Sequence, residues 1–303
     1  MERLYTLHTY EGETVMNYSA LIQNRKSTRE YSKKKVPASL LDEMMAYYQK
    51  DCHRLLPGLK TELLLFGTEA QKALEGAAGY REFLIGAPQY MILLSDPDPL
   101  VYENAGFIME DMILKAADLD LGSCWLTFTD SEQVKRALNI SSDMTVAAIA
   151  AFGYAQKSTK RLRLNIFSMS NVDIKAKRQY FAPKKGIYDM VFMDSWGEDY
   201  GLDEYIGFYD DMLWEGFYAA VQSPSYLNRQ PYGFVLHDHQ VTLVRQDDPY
   251  TTVIDGRLGL GVVMLHFTAV VSNWTGKVDW TMGENSAAPE IPADCHVVAS
   301  CRI

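Results

Sequence analysis

The sequence predicts an α+β protein made of two degenerate copies of one unit, and three observations predict it. A continuous apolar stripe runs through 103–119, where Ala105, Ile108, Met109, Met112, Ile113, Ala116 and Ala117 fall at offsets 0, 3, 4, 7, 8, 11 and 12, the repeat of one helix face. Short apolar runs at 61–66, 89–94 and 146–152 have the length and bulk of strands covered on both faces. The same grammar then returns: a long helix that follows a strand and closes on a Trp occurs as 103–125 and again as 255–274.

The elements of the first copy follow from local signals. Residues 16–23 read as a short helix opening into a polar loop at 24–31, and Pro37 precedes a helix over 39–50, with Leu40, Leu41, Met44, Met45 and Tyr48 at helical spacing. Gly122 is expected to stop the helix over 103–119, with 120–125 as a turn. Thr129 and Glu132 have the capping-box spacing that starts a helix at 131–138, and the strand at 146–152 closes on Gly153. Residues 165–200, with Pro183 and Gly186, read as the connection to the second copy. There a helix over 203–221 leads to a loop at 222–231, strands at 232–237 and 240–245 flank a turn at Asp238 and His239, a helix runs from Gly256 to Val271, and a last strand covers 296–301. The halves are expected at 1–185 and 186–303.

Charge is unevenly spread between them. The 303 residues carry a formal charge of −10, from 24 basic and 22 acidic residues up to Lys185 and 5 basic and 17 acidic residues after it, a split of +2 and −12. Such a chain is not built to hold nucleic acid or an anionic membrane. The start has no apolar signal region, and no window is read as reaching the roughly 18 uncharged apolar residues of a membrane span, so a soluble cytoplasmic protein is expected. Cys52, Cys124, Cys295 and Cys301 form no CxxC pair and sit in apolar contexts, which predicts buried free thiols and no metal centre.

Two motifs carry chemistry. Arg25, Lys26, Ser27, Thr28 and Arg29 place two guanidiniums, an ammonium and two hydroxyls within five residues, the donor set a phosphate takes. Read alone the loop is equally an exposed basic surface, as is the cluster Lys160, Arg161 and Arg163. The second motif, Ser223-Pro224-Ser225-x-x-Asn228-x-Gln230-Pro231-Tyr232, combines two rigidifying prolines with amides and hydroxyls spaced to line a polar heterocycle. It lacks the GxSxG context of a serine nucleophile. Gly256, Gly259 and Gly261 have the wrong spacing for a dinucleotide fingerprint and read as close helix packing, and His237 and His239 read as a solvated turn.

Taken in order, these pieces resemble the FMN-dependent nitroreductase family. Residues 23–31 resemble its R-R-S-x-R-x-F/Y loop, 103–125 its long core helix and L-G-L-G-S-x-W turn, 148–154 with 160–163 its strand-G-Y and later basic residues, and 223–232 its P-S-x-x-N-x-Q-P-W loop. The order departs from ordinary members, in which both loops lie in one copy and two subunits share each FMN. Here 51–58 has lost the second motif, and the second copy has no R-R-S loop. The resemblance therefore implies a three-layer nitroreductase-like fold with two copies fused into an intrachain pseudo-dimer, active as a monomer, with one flavin site.

Carried over, Arg25, Ser27 and Arg29, with Lys26, would hold the FMN phosphate and ribityl chain, and Lys160, Arg161 and Arg163 would close on the phosphate. Pro224, Ser225, Asn228 and Gln230 would line the ring, and the backbone amides of Trp125, Leu126 and Thr127 would lie near its reactive edge. The implied activity passes electrons from NADH or NADPH through FMN to a small aromatic, quinone-like or nitro substrate. No side-chain acid or base is implied, since the flavin does the chemistry. A flavin-sequestering protein and a flavin-free interaction scaffold are the competing readings.

Overall fold

A computed structural model of the chain describes residues 16–81, 83–156, 161–168, 171–177, 183–198, 202, 211–283 and 289–303, with 161–177 and Asp211 as backbone. The first half contains α1 (Tyr18–Asn24), α2 (Ala38–Lys50), β1 (Thr61–Phe66), α3 (Glu69–Leu74), β2 (Gln89–Ser95), α4 (Val101–Asp118), β3 (Gly122–Leu126), α5 (Ser131–Leu138) and β4 (Thr145–Gly153). Its strands form an antiparallel sheet in the order β1-β2-β4-β3. The sheet is buried on both faces: Met91, Leu93, Ala148 and Ala150 pack with α2 and α4, while Tyr90, Ile92, Ile149 and Ala151 pack with α3 and α5. This is why its strands read as unbroken apolar runs.

After β5 (Arg161–Ser168) and β6 (Asn171–Lys177), which form a hairpin, come β7 (Val191–Met193), α6 (Asp211–Val221), β8 (Tyr232–His237), β9 (Gln240–Gln246), α7 (Val253–Thr275), β10 (Thr281–Met282) and β11 (Cys295–Arg302). The second sheet has the order β10-β11-β9-β8-β7. Read from β8, the order β8-β9-β11-β10 repeats β1-β2-β4-β3, antiparallel throughout, and β7 joins β8 in parallel as an added edge. The repeat glimpsed in the sequence is thus a repeat of topology. The first half also reaches into the second, since Met16, Tyr18 and Ile22 at and before α1 are buried in the core that α6, α7 and the second sheet build.

The long helices α4 and α7 cross at the centre with almost no separation. A Cβ on Gly106 would lie 2.1 Å from the Leu258 carbonyl oxygen, and a Cβ on Gly261 would lie 2.0 Å from that of Glu103. Of the three glycines at the start of α7, Gly261 is the one pressed against α4. Arg257 ties the two helix starts together, donating from Nε to Glu103 Oε1 at 2.8 Å, from Nη2 to Glu103 Oε2 at 2.5 Å, and to the Pro99 carbonyl.

The structure corrects several expectations. Residues 258–275 of α7 carry no Asp, Glu, Lys or Arg, so the helix is long and apolar enough to cross a membrane by composition, contrary to the sequence reading. Its length is explained by burial, since every residue from Leu258 to Val271 is buried in the protein core. α4 ends at Asp118, one residue short of the expected 119 and well before Gly122, with Asp120 in the left-handed region (φ 57). Gly122 instead begins β3 and is small because a Cβ there would meet Thr28 Oγ1 at 2.3 Å. The cap of α5 is Asp130, whose Oδ1 accepts from the amides of Glu132 and Gln133; a carboxylate one residue nearer the helix displaces Thr129 from the role. The stretch read as connection contains β5, β6 and β7. The part of the expected helix at 203–210 lies outside the described residues.

Candidate functional site

The loop leaving α1 is laid along the outer edge of β3. The Thr28 amide donates to the Ser123 carbonyl at 2.7 Å, the Ser32 amide to Tyr154 at 2.8 Å, and the Tyr31 hydroxyl to the Ala151 carbonyl at 3.1 Å. Fixed this way, Lys26 and Arg29 face outward and Arg25 turns inward, its side chain 7% exposed. Arg25 and Arg29 both act on Cys124, whose thiol is nevertheless pushed up by burial.

Arg25 meets a carboxylate that no solvent reaches. Glu110, in the middle of α4 and fully buried, accepts from Trp125 Nε1 at 2.7 Å on Oε2 and adjoins His266 Nε2 of α7 at 3.0 Å on Oε1. Arg25 Nε lies 3.4 Å from Oε1, near enough to share charge but not aligned to donate, and stays unpaired. Burial raises the Glu110 carboxyl, but the His266 contact and the Arg25 charge outweigh it and hold it below the ordinary carboxylate range. The other ring nitrogen of His266, Nδ1, lies 3.1 Å from the Ala219 carbonyl. A carbonyl and an ionised carboxylate both only accept, so both ring nitrogens of His266 face acceptors. The cluster therefore sets Arg25 and the His266 ring against one buried carboxylate.

The second half supplies the opposite wall. Lys184 donates to the Ser223 carbonyl at 2.5 Å; burial, then the nearby Arg25 charge, pushes its ammonium down to about 8 against the pull of Glu110. Ser223 Oγ and Tyr232 Oη are buried beside one another, and neither reaches a partner in full hydrogen-bond geometry. The loop between them is held in strain, with Leu227 (φ 48), Asn228 (φ 57) and Gln230 (φ 47) in the left-handed region that side-chain-bearing residues avoid. It is stapled by the preceding segment: Asn228 Nδ2 donates to the Pro183 carbonyl at 2.5 Å, the Lys185 amide donates to Gln230 Oε1 at 3.0 Å, and Gln230 Nε2 donates to Val221 at 2.8 Å. Ser225 Oγ accepts from the Gln230 amide at 3.0 Å.

Of the residues singled out in the sequence, Arg25 and Trp125 thus converge on Glu110. Leu126 is buried and pairs with Ile149 in the sheet, while Thr127 exchanges hydrogen bonds with Gly79, its hydroxyl and its carbonyl both engaged. Pro224 and Ser225 are half-buried, and the Asn228 and Gln230 amides are turned to backbone groups of the chain itself. Arg161 and Arg163 lie on β5 opposite Lys177 and Lys175, so two basic clusters that are separate in sequence share one face of a hairpin. Lys160 lies outside the described residues. Ser223 and Tyr232 stood in the second motif without a role of their own, and Glu110, His266 and Lys184 were missed. Their signal was a charged or polar residue inside an otherwise apolar run, as at Glu110 and His266.

Comparison with known proteins bears on the family and the fold. The sequence profile of the family described as "Putative TM nitroreductase" matches residues 17–186. Among solved structures, a putative nitroreductase from Thermotoga maritima MSB8 superposes over 98% of this chain and 99% of its own, with 14% identity and a TM-score of 0.55, a likeness of fold. An FMN-dependent nitroreductase from Clostridium difficile R20291 covers 46% of this chain and 88% of its own at 22% identity and a TM-score of 0.41. A putative NADH oxidase from Clostridium acetobutylicum covers 46% and 89% at 23% identity and a TM-score of 0.39. No curated protein matches the chain.

Proposed function

The chain belongs to the Putative TM nitroreductase family, an oxidoreductase family of the nitroreductase type, and from that premise we propose that it binds one FMN between its halves and uses NADH or NADPH to reduce a small aromatic, quinone-like or nitro substrate. The observation that carries this reading is the buried cluster at Arg25, where Arg25 and Lys184 share one carboxylate and Arg25 Nε, Ser223 Oγ and Tyr232 Oη lack a hydrogen-bond partner in full geometry. Leaving a buried donor unpaired costs about 1 to 3 kcal/mol. Three such groups beside excess positive charge fit the phosphate end of a flavin mononucleotide.

When bound, the flavin supplies two-electron chemistry between the nicotinamide donor and the second substrate. The chain's own residues bind and orient. Arg25, Ser27 and Arg29 hold the phosphate and ribityl chain, with Lys26 at the rim, and Arg161 and Arg163 with Lys160 add positive charge. Glu110 fixes Arg25, His266 and Trp125 at once, so one carboxylate orients groups from both halves. Pro224, Ser225, Asn228 and Gln230 shape the wall of the site, Asn228 and Gln230 by bracing a strained backbone. Because both halves are in one chain, the active species is a monomer, and 34.3 kDa is the mass expected in solution.

Purified protein tests the reading directly. A yellow chromophore, or one gained on adding FMN and bleached anaerobically by NADH or NADPH, is the expected result. Bound flavin that neither donor bleaches would favour a flavin-sequestering role, and failure to bind FMN at all would remove the flavin reading.

A further inference from the structure

We propose that Lys184, on the segment that joins the halves, is a phosphate-binding residue which works with Arg25 and the Ser223 and Tyr232 hydroxyls to hold a phosphate monoester in the buried cluster. The inference rests on the flavin reading for the identity of the monoester, but it adds Lys184, which lies outside the segments that carry the family resemblance.

Charge and unmet donors single out this lysine. Arg25 is balanced by the single carboxylate of Glu110, beside which the His266 ring also stands. Protonated Lys184 adds a positive charge with no carboxylate of its own, and Glu110 is the one acidic group acting on it among the described residues. A phosphate monoester carries about −1.5 to −2 at neutral pH and answers that charge. Lys184 spends one N–H on the Ser223 carbonyl and has two left. Ser223 is fully buried and Tyr232 is 2% exposed, and neither hydroxyl has a partner in full hydrogen-bond geometry, so each can turn to donate to an added oxygen. Burial pulls the Lys184 ammonium down, and an anion beside it holds the proton on.

That coupling gives the test a signature beyond affinity. In the free protein burial and the Arg25 charge push the Lys184 ammonium down to about 8 against the pull of Glu110. Binding an anion raises that value, so affinity must fall as the pH climbs past about 8, where the free site has lost the proton it needs. Dissociation constants for FMN and for riboflavin, which lacks the phosphate, are measured by flavin fluorescence between pH 6 and 9 on wild type, Lys184→Met and Lys184→Arg. Lys184→Met is expected to weaken FMN binding about tenfold or more. It is also expected to leave riboflavin unchanged, flatten the alkaline decline, and raise the melting temperature of the flavin-free protein, because a buried cation is gone. Lys184→Arg should retain FMN binding with a flat profile.

Wild-type affinity and pH profile in Lys184→Met, with FMN binding lost in Arg25→Ala, would overturn the assignment while leaving the flavin reading intact. If wild type binds no FMN but is thermally stabilised by inorganic phosphate, and Lys184→Met abolishes that, the Lys184 assignment stands and the flavin reading falls. If wild type responds to neither probe, both fall.

Discussion

Gly106 and Gly261 stand at reciprocal positions: each faces the carbonyl that lies three residues before the other, Leu258 opposite Gly106 and Glu103 opposite Gly261. This is the contact pattern of a two-fold axis running between α4 and α7, and it survives in a single chain whose halves have diverged. Five residues after each glycine stands a buried polar centre, Asp111 in the first half and His266 in the second.

The crossing predicts its own fragility. Gly106→Ala or Gly261→Ala drives a methyl to about 2 Å from a backbone oxygen, so the helices must separate; overpacking typically costs about 1 to 3 kcal/mol, and rigid backbone on both sides puts these at the upper end. Urea midpoints should fall with unchanged slope. Since either methyl opens the same crossing, the double variant should lose less than the sum of the two.

Glu110→Gln should be the most damaging change in the cluster. It leaves Arg25 buried without its counter-charge and takes the carboxylate from the His266 ring, a loss of about 3 to 5 kcal/mol. The pH sign follows from the carboxyl being held below its ordinary value: its contribution is complete above the unfolded value and is lost as the pH falls through the folded one. Wild type should therefore lose stability on the acid side more steeply than Glu110→Gln in melting curves taken from pH 6 to 3.

How much of this was legible in the sequence depended on periodicity. α4, α7 and the sheet strands announce themselves because burial on all sides leaves unbroken apolar runs, and the basic loop at 25–29 was visible as composition. The hairpin of β5 and β6 was not read, although Arg161-Leu162-Arg163-Leu164 alternates as a strand does, because its charge dominated the reading. The heart of the candidate site was invisible for another reason: Glu110 and His266 are 156 residues apart, and nothing local to either says that they touch. Gln230 was legible as a conspicuous amide, but not that its two polar ends would be spent on Lys185 and Val221.

The two polar centres differ in completeness, and the difference sets a pH dependence of its own. Asp111 is fully furnished, accepting from the Tyr18 hydroxyl at 2.8 Å, the Tyr47 hydroxyl at 3.0 Å and the His53 amide at 2.8 Å, with His53 Nδ1 at 3.1 Å. The Asp111 contact raises the His53 imidazolium above its ordinary value. Its stabilisation is complete below the unfolded value near 6.5 and fades as the pH rises through the folded one. Subtracting the melting temperatures of His53→Asn from those of wild type should give a difference that is largest near pH 6 and shrinks toward pH 9.

Asp111 itself thus offers a ligand nothing, and its side keeps one unpaired buried donor, Asn104 Nδ2, whereas the Glu110 side keeps three unpaired buried groups around Arg25. Stoichiometry by equilibrium dialysis of flavin-free protein against FMN tests this most directly. The expected result is one FMN per chain, abolished by Arg25→Ala combined with Ser27→Ala. Two per chain, none, or one that the double variant still holds would contradict a single flavin site built on the Arg25 loop.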